Sequence, residues 1–258
     1  MISNTSMIYA KTGRFAHLNK LVFHRDKVHK HYGSAKTKTL LTILSLLPTD
    51  LNEHMSPEER RSHEEFTLRK LYSKGLPVPK VIDSGIDYIV MERICGISLP
   101  DIYASHEFSN PQKLRLMEQV GKLVKRLHNE GVVHGDLGIK QFLLEPGILH
   151  EDLEKTLSTG DFKLYVIDFE TRPKRGGAYG RAADNIRCSF SASCIGNLPY
   201  SRIRASYEKG YGEVIDSSFF DQSTILRLSL FWDTIIMTYT LPAIHRYRDV
   251  HKNLRSKK

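Results

Sequence analysis

Two carboxylates, each in a setting that chemistry uses, constrain this chain more than anything else in it. Asp136 lies in His134-Gly135-Asp136-Leu137, just past a long helical pattern. Asp168 follows the apolar strand-like run Leu164-Tyr165-Val166-Ile167. The helix before Asp136 starts at Asn110-Pro111 and carries Leu114, Met117, Val120, Val124 and Leu127 at spacings of three and four, with Gly131 ending it. Helix, carboxylate in a loop, and second carboxylate after a strand come in one consistent order.

The remaining elements are legible around this pair. Lys20–Phe23 and Lys27–Tyr32 read as strands joined by a tight turn at His24-Arg25-Asp26. Residues 35–47 read as a helix. Ser56-Pro57-Glu58-Glu59 opens another, since Ser caps, Pro suits the first helical position and acids suit the positive end of the dipole. It stops at Gly75. Residues 81–90 hold two short strands, and 91–99 a connector. Further strands are expected at Val132-Val133, Phe142–Leu144 and Lys163–Ile167. A basic loop is expected from Thr171 to Arg181, and mostly helix beyond it.

At 258 residues, 40% hydrophobic and 26% charged, the chain suffices for one two-lobed domain with a real core, or for two small domains. Its formal charge of +9 makes anions the partners to consider: nucleotides, phosphorylated sugars, nucleic acid or an anionic membrane surface. Cys95, Cys188 and Cys194 form no CxxC pair and no metal spacing, which fits a reducing, cytoplasmic setting. Residues 1–13 lack an apolar leader. The apolar stretch Phe219–Ile244 is interrupted by Arg227 and Asp233 and reads as a buried or amphipathic helix, so no transmembrane segment is expected.

The pattern His134-Gly135-Asp136-Leu137, then Gln141, then Ile167-Asp168-Phe169-Glu170 resembles the catalytic and metal-binding segments of protein-kinase-like enzymes. The resemblance runs over roughly residues 8–210. It implies an α+β, two-lobed protein-kinase-like fold with a small antiparallel-sheet N-lobe and a helical C-lobe. The whole chain is then a single kinase-like domain: N-lobe about 1–91, hinge about 91–99, C-lobe about 100–250 and a basic tail at 251–258. It also implies ATP and Mg2+ as cofactors.

The site residues follow from the same resemblance. Phosphoryl transfer asks an enzyme to position reactants and to neutralise charge on the γ-phosphate. Asp136 takes the place of the carboxylate at the attacking hydroxyl, and Asp168 that of the carboxylate holding Mg2+. Gln141 stands where most of the superfamily has Asn. Its extra methylene leaves open whether it binds metal directly, binds through water, or leaves one metal held. Val28-His29-Lys30 fits the anchoring lysine, with Val28 lining the adenine pocket and Lys27 and Lys20 as competitors for the lysine. Glu65 is the expected partner of Lys30, with Glu64 the alternative. Met91 would be the gatekeeper, the backbones of Glu92 and Ile94 would bind adenine, and Gly13 would let the backbone approach a phosphate. Asp184 reads as a buried brace for the catalytic loop.

Within the superfamily the motifs divide. Gly75-Leu76-Pro77-Val78-Pro79-Lys80 and HGDL resemble the RIO kinases and the small KEOPS-complex kinase. Ile167-Asp168-Phe169-Glu170 is more similar to choline kinases and aminoglycoside phosphotransferases. Gln141-Phe142-Leu143-Leu144 resembles lipopolysaccharide core kinases. The implied function is transfer of the γ-phosphate of ATP to an acceptor hydroxyl, with an atypical serine/threonine-type protein kinase as the leading form. A small-molecule or lipopolysaccharide-sugar kinase is the alternative, and a nucleotide-binding pseudokinase module the third. The acceptor is accordingly a protein or a small hydroxyl-bearing molecule.

Overall fold

The computed structural model describes residues 19–33, 52–53, 55–145 and 162–216. Gly13, the expected helix at 35–47, the Phe219–Ile244 stretch and the basic tail lie outside them.

Strand β1 (Asn19–Phe23) and strand β2 (Lys27–Tyr32) pair antiparallel across the expected turn. Helix α1 (Pro57–Ser73) follows. Ser56 and Glu59 close a reciprocal capping box at its start, and Gly75 leaves it with a φ of 70°. Strands β3 (Val81–Ser84) and β4 (Tyr88–Glu92) complete an antiparallel sheet of order β1-β2-β4-β3. In β2 the side chains alternate, so Val28, Lys30 and Tyr32 are buried while Lys27, His29 and His31 lie on the other face. This strand period selects among the competing lysines. Lys30 points inward at 5% exposure, Lys27 points the opposite way and Lys20 is exposed.

Past a short connector come β5 (Ile97–Ser98), α2 (Leu99–Ala104) and α3 (Asn110–Asn129). At Gly96 in the connector an added Cβ would sit 2.7 Å from the Leu144 carbonyl. A 3-10 turn (Ile139–Gln141) leads into β6 (Phe142–Leu144). Next come β7 (Leu164–Val166), α4 (Gly177–Gly196) and α5 (Tyr200–Tyr211). The second sheet runs β5-β6-β7, again antiparallel.

Helix α3 is the spine of the C-lobe. Met117, Val120, Val124 and Leu127 are buried as the periodicity predicts, and Leu114 is partly buried. Each fully buried side chain of this kind contributes roughly 1.5–3 kcal/mol. Helices α3 and α5 touch through backbone: an added Cβ at Gly210 would lie 1.8 Å from the Glu118 carbonyl, and one at Gly121 2.3 Å from that of Tyr207.

Two expectations differ from the structure. Val132-Val133 forms no strand; among the described residues it has no ladder partner, and it enters the loop that carries Asp136. The basic segment at 171–181 is loop only as far as Gly176, and its last residues are the first turn of α4.

Candidate active site

Two residues on different elements of the N-lobe meet a third from the segment just past β7. The Lys30 ammonium donates to Glu64 Oε2 at 2.6 Å and to Asp168 Oδ1 at 2.5 Å, with Glu170 Oε2 at 3.4 Å. The expected pairing of Lys30 with Glu65 is corrected: the partner is Glu64. The cause is helical period. Glu64, Leu68 and Leu71 form the buried stripe of α1, while Glu65 lies about 100° further round. There Glu65 bridges Arg61 (2.7 Å) and Arg69 (3.0 Å) and accepts from the Ser84 hydroxyl. The spacing to Leu68 and Leu71 was readable in the sequence. So was the flanking of Glu65 by Arg61 and Arg69 at four residues.

Burial alone would depress the Lys30 ammonium, but Asp168, Glu64 and Glu170 outweigh it and hold the pKa well above its ordinary value. Burial pushes the Glu64 carboxyl up to about 7 despite Lys30, with Asp168 and Glu170 adding to the rise. Tyr32, two residues from Lys30 on the same face of β2, also donates to Glu64. Sequence reading missed Tyr32, although the strand period alone places it beside Lys30.

Asp168 sits just past β7 with a left-handed φ of 71°. For a non-glycine residue this is uncommon and turns the carboxylate out of the strand direction. Burial would raise its pKa; Lys30 first, then Lys140 and His134, bring it down to about 2. Glu170, which sequence reading used only as a family marker, joins the site through Lys30, Arg60 and Asn19. Glu64, Asp168 and Glu170 each offer an oxygen within 4.8 Å of the others.

Asp136 is reached from the other side. Gln141, 2% exposed, directs Nε2 to Asp136 Oδ2 (3.4 Å) and to Asp168 Oδ2 (3.5 Å), so one amide spans both carboxylates. Lys140 pairs with Asp136 at 3.2 Å. Hard carboxylate and amide oxygens are the donor type that suits Mg2+, and the set around Asp168 fits it. As oriented, Gln141 offers nitrogen, so it would have to turn its amide to serve as a ligand.

The loop bearing Asp136 is held by Asp184. One Asp184 oxygen accepts the amide of His134 (2.7 Å) and the other that of Gly135 (3.0 Å), and His128 Nε2 donates at 3.3 Å. Burial opposes ionisation of Asp184, but His128 and His134 keep its pKa below the ordinary carboxylate value. Gly135 has a φ of 82°, which only glycine adopts without strain. His134 Nε2 donates to the Ile167 carbonyl (3.0 Å), tying the loop to the segment carrying Asp168. Ser191 on α4 accepts the amide of Ile139 (2.8 Å) and fixes the turn before Gln141. The brace expected at Asp184 is thus in place by geometry, and Ser191 is an addition with no sequence signal.

At the connector, Val28 and Met91 are cross-strand partners and both are buried. Glu92 donates its amide to the Lys80 carbonyl (2.9 Å), and Arg93 donates to that of Asp26 (3.0 Å). Ile94 lies half-buried just past them. The structure brings Lys30, Asp136, Gln141 and Asp168 together, with Glu64 in place of Glu65.

Residues 47–193, more than half of the chain, match the lipopolysaccharide kinase (Kdo/WaaP) family. Over 84 residues the chain is 38% identical to the EKC/KEOPS complex subunit BUD32 of Encephalitozoon cuniculi, covering 33% of this chain and 41% of that protein. Over 134 residues it is 29% identical to the 3-deoxy-D-manno-octulosonic acid kinase of Mannheimia succiniciproducens, covering 47% and 49%. The chain thus spans less than half the length of these curated relatives. Among solved structures it is similar to WaaP in complex with acyl carrier protein, with a TM-score of 0.53 and 18% identity, covering 86% of this chain and 85% of that one. Motifs, sheet order and match agree: the chain has the α+β, two-lobed protein-kinase-like fold and belongs to the lipopolysaccharide kinase (Kdo/WaaP) family.

Proposed function

We propose that this chain is an ATP-dependent phosphotransferase acting on a hydroxyl of an acidic sugar of the 3-deoxy-D-manno-octulosonic kind. The observation that carries the transfer chemistry is the convergence of Lys30, Asp168, Gln141 and Asp136 within direct hydrogen-bond chains. The family match and the 3-deoxy-D-manno-octulosonic acid kinase relative support the acceptor.

In this reading Lys30, oriented by Glu64, binds the α- and β-phosphates. Asp168, with Glu170 beside it, would hold Mg2+, which would supply positive charge against the phosphates during transfer. Asp136 orients the acceptor hydroxyl. The acceptor oxygen bonds to the γ-phosphorus, the bridging bond to the β-phosphate breaks, ADP leaves, and Asp136 takes the hydroxyl proton. Val28 and Met91 line the adenine side, where the backbones of Glu92 and Ile94 bind the base.

Thermal shift with ATP, with and without Mg2+, tests the nucleotide site. A Mg2+-dependent rise lost in Asp168→Ala supports it; no rise under any condition contradicts it. Transfer of labelled γ-phosphate to a lipid-linked sugar acid tests the acceptor. The second reading, an atypical protein kinase, draws on the 38% identity to the KEOPS subunit. Label on protein hydroxyls and none on the sugar would favour it.

A further inference from the structure

We infer that Lys140 is a further catalytic residue, whose ammonium swings from Asp136 onto the γ-phosphoryl group and neutralises it during transfer. This rests on the phosphotransferase reading of the site.

Lys140 is carried by the 3-10 turn Ile139–Gln141, and the backbone of that turn is tied on both sides. The Ile139 amide donates to Ser191 Oγ (2.8 Å) and the Gln141 amide to the Gly138 carbonyl (3.0 Å), while the Gln141 carbonyl accepts the Ile167 amide (2.9 Å). Ile139 and Gln141 are buried, and Lys140 between them is exposed. The turn therefore fixes where the lysine starts and leaves its four-carbon stem to swing.

Lys140 Nζ stands 3.2 Å from Asp136 Oδ2, the oxygen that Gln141 Nε2 also approaches at 3.4 Å. Lys30 meets Asp168 at Oδ1, whereas Gln141 meets it at Oδ2. The order of contacts is thus Lys30, Asp168, Gln141, Asp136, Lys140, with a cation at each end. Burial would lower the Lys140 pKa, but Asp136, Asp168 and Glu170 outweigh it and hold the ammonium above its ordinary value.

An exposed pair four residues apart adds little to stability. Its place gives this one another use. Charge spread over the γ-phosphate oxygens calls for positive groups aimed at it, and Asp136, Asp168 and Glu170 make the surroundings negative. Lys30 serves the α- and β-phosphates. Asp136 holds the attacking hydroxyl, and reacting atoms stand about 3–3.5 Å apart before transfer. A cation touching Asp136 is therefore one side-chain swing from the γ-phosphorus. Lys140 makes no covalent bond and gives up no proton: the acceptor oxygen bonds to the γ-phosphorus, the bridging bond breaks onto ADP, and the hydroxyl proton goes to Asp136.

Calorimetry on the full chain with Mg2+ and ADP, with and without aluminium fluoride, tests this, because the fluoride sets a planar mimic of the transferring phosphoryl group beside ADP. Lys140→Met is expected to weaken binding of the ADP–aluminium fluoride complex by about a hundredfold, the loss typical of one such donor. The Kd of ADP alone and the melting temperature should stay at wild-type values. In transfer assays kcat should fall by a similar factor with KM for ATP little changed. Lys140→Arg keeps the charge and should recover most of both losses. Lys209→Met, an equal change of charge at the exposed pair with Glu118, should alter nothing. Equal binding of ADP–aluminium fluoride by wild type and Lys140→Met, or an equal loss for ADP with and without fluoride, would overturn the inference and leave the phosphotransferase reading standing. Wild type that binds ADP in neither form would overturn that reading and this inference with it.

Discussion

Lys30 and Glu64 meet at 2.6 Å across 34 residues of sequence, inside the N-lobe and out of reach of solvent. Removing the carboxylate leaves Lys30 to Asp168 and Glu170 alone. Losing one partner of a buried pair costs about 3–5 kcal/mol when no other charge substitutes; here two others do, so Glu64→Ala is expected to cost about 1–3 kcal/mol. Nucleotide binding should weaken with it. Glu65→Gln, which loses only surface pairs of about 0.3–0.5 kcal/mol each, should be nearly silent. Urea midpoints and ATP titrations of both variants decide; equal losses would contradict the assignment of Glu64.

The amide of Gln141 spans Asp136 and Asp168. Gln141→Asn shortens it by one methylene and is expected to keep or raise phosphate transfer. Asp168→Ala should abolish transfer almost entirely. Steady-state rates with labelled ATP test both, and a large loss in Gln141→Asn would mean that the span itself matters more than a metal-facing oxygen.

Stability should fall at both ends of the pH scale for different reasons. Asp168, at about 2 against an unfolded 3.8, and Asp184, also lowered, stabilise the fold above the unfolded value and cease to do so as pH falls through the folded ones. Glu64 has the opposite sign: raised from 4.5 to about 7, it contributes below its unfolded value and that contribution is lost as pH rises through the folded one. Urea midpoints from pH 3 to 8 should show a flatter alkaline limb in Glu64→Gln and a flatter acid limb in Asp184→Asn. Limbs of unchanged steepness would refute these assignments.

The α3–α5 contact leaves no room for a methyl group. Gly210→Ala should destabilise by about 1–3 kcal/mol or more, the ordinary range for overpacking, because the colliding atoms are backbone. Chemical denaturation measures it. Gly176→Ala, where an added Cβ meets nothing within 4 Å, is the control.

Much of the fold was legible because period and punctuation agree. Ser56-Pro57 capped α1, the α3 stripe was buried, and the two hairpins paired as read. Lys30 could be chosen over Lys27 and Lys20 once the face of β2 was known. The choice between Glu64 and Glu65 failed because family position was weighed and helical phase was not. Arg60 and Ser191 escaped because their roles are made by tertiary contact, with no motif of their own, whereas Tyr32 was readable from the period of β2. Val132-Val133 shows the converse: two β-branched residues read as a strand, yet among the described residues no strand pairs with them.

The anchoring of the Asp136 loop by Asp184 and Ser191 sets how short a working fragment of this protein can be. A piece ending soon after Glu170 would hold every charged residue of the site. It would still lack the two α4 side chains that receive the amides of His134, Gly135 and Ile139. The functional unit is therefore delimited by backbone amides that need acceptors, and its end lies past Ser191, about twenty residues beyond Glu170, the last of the motif carboxylates.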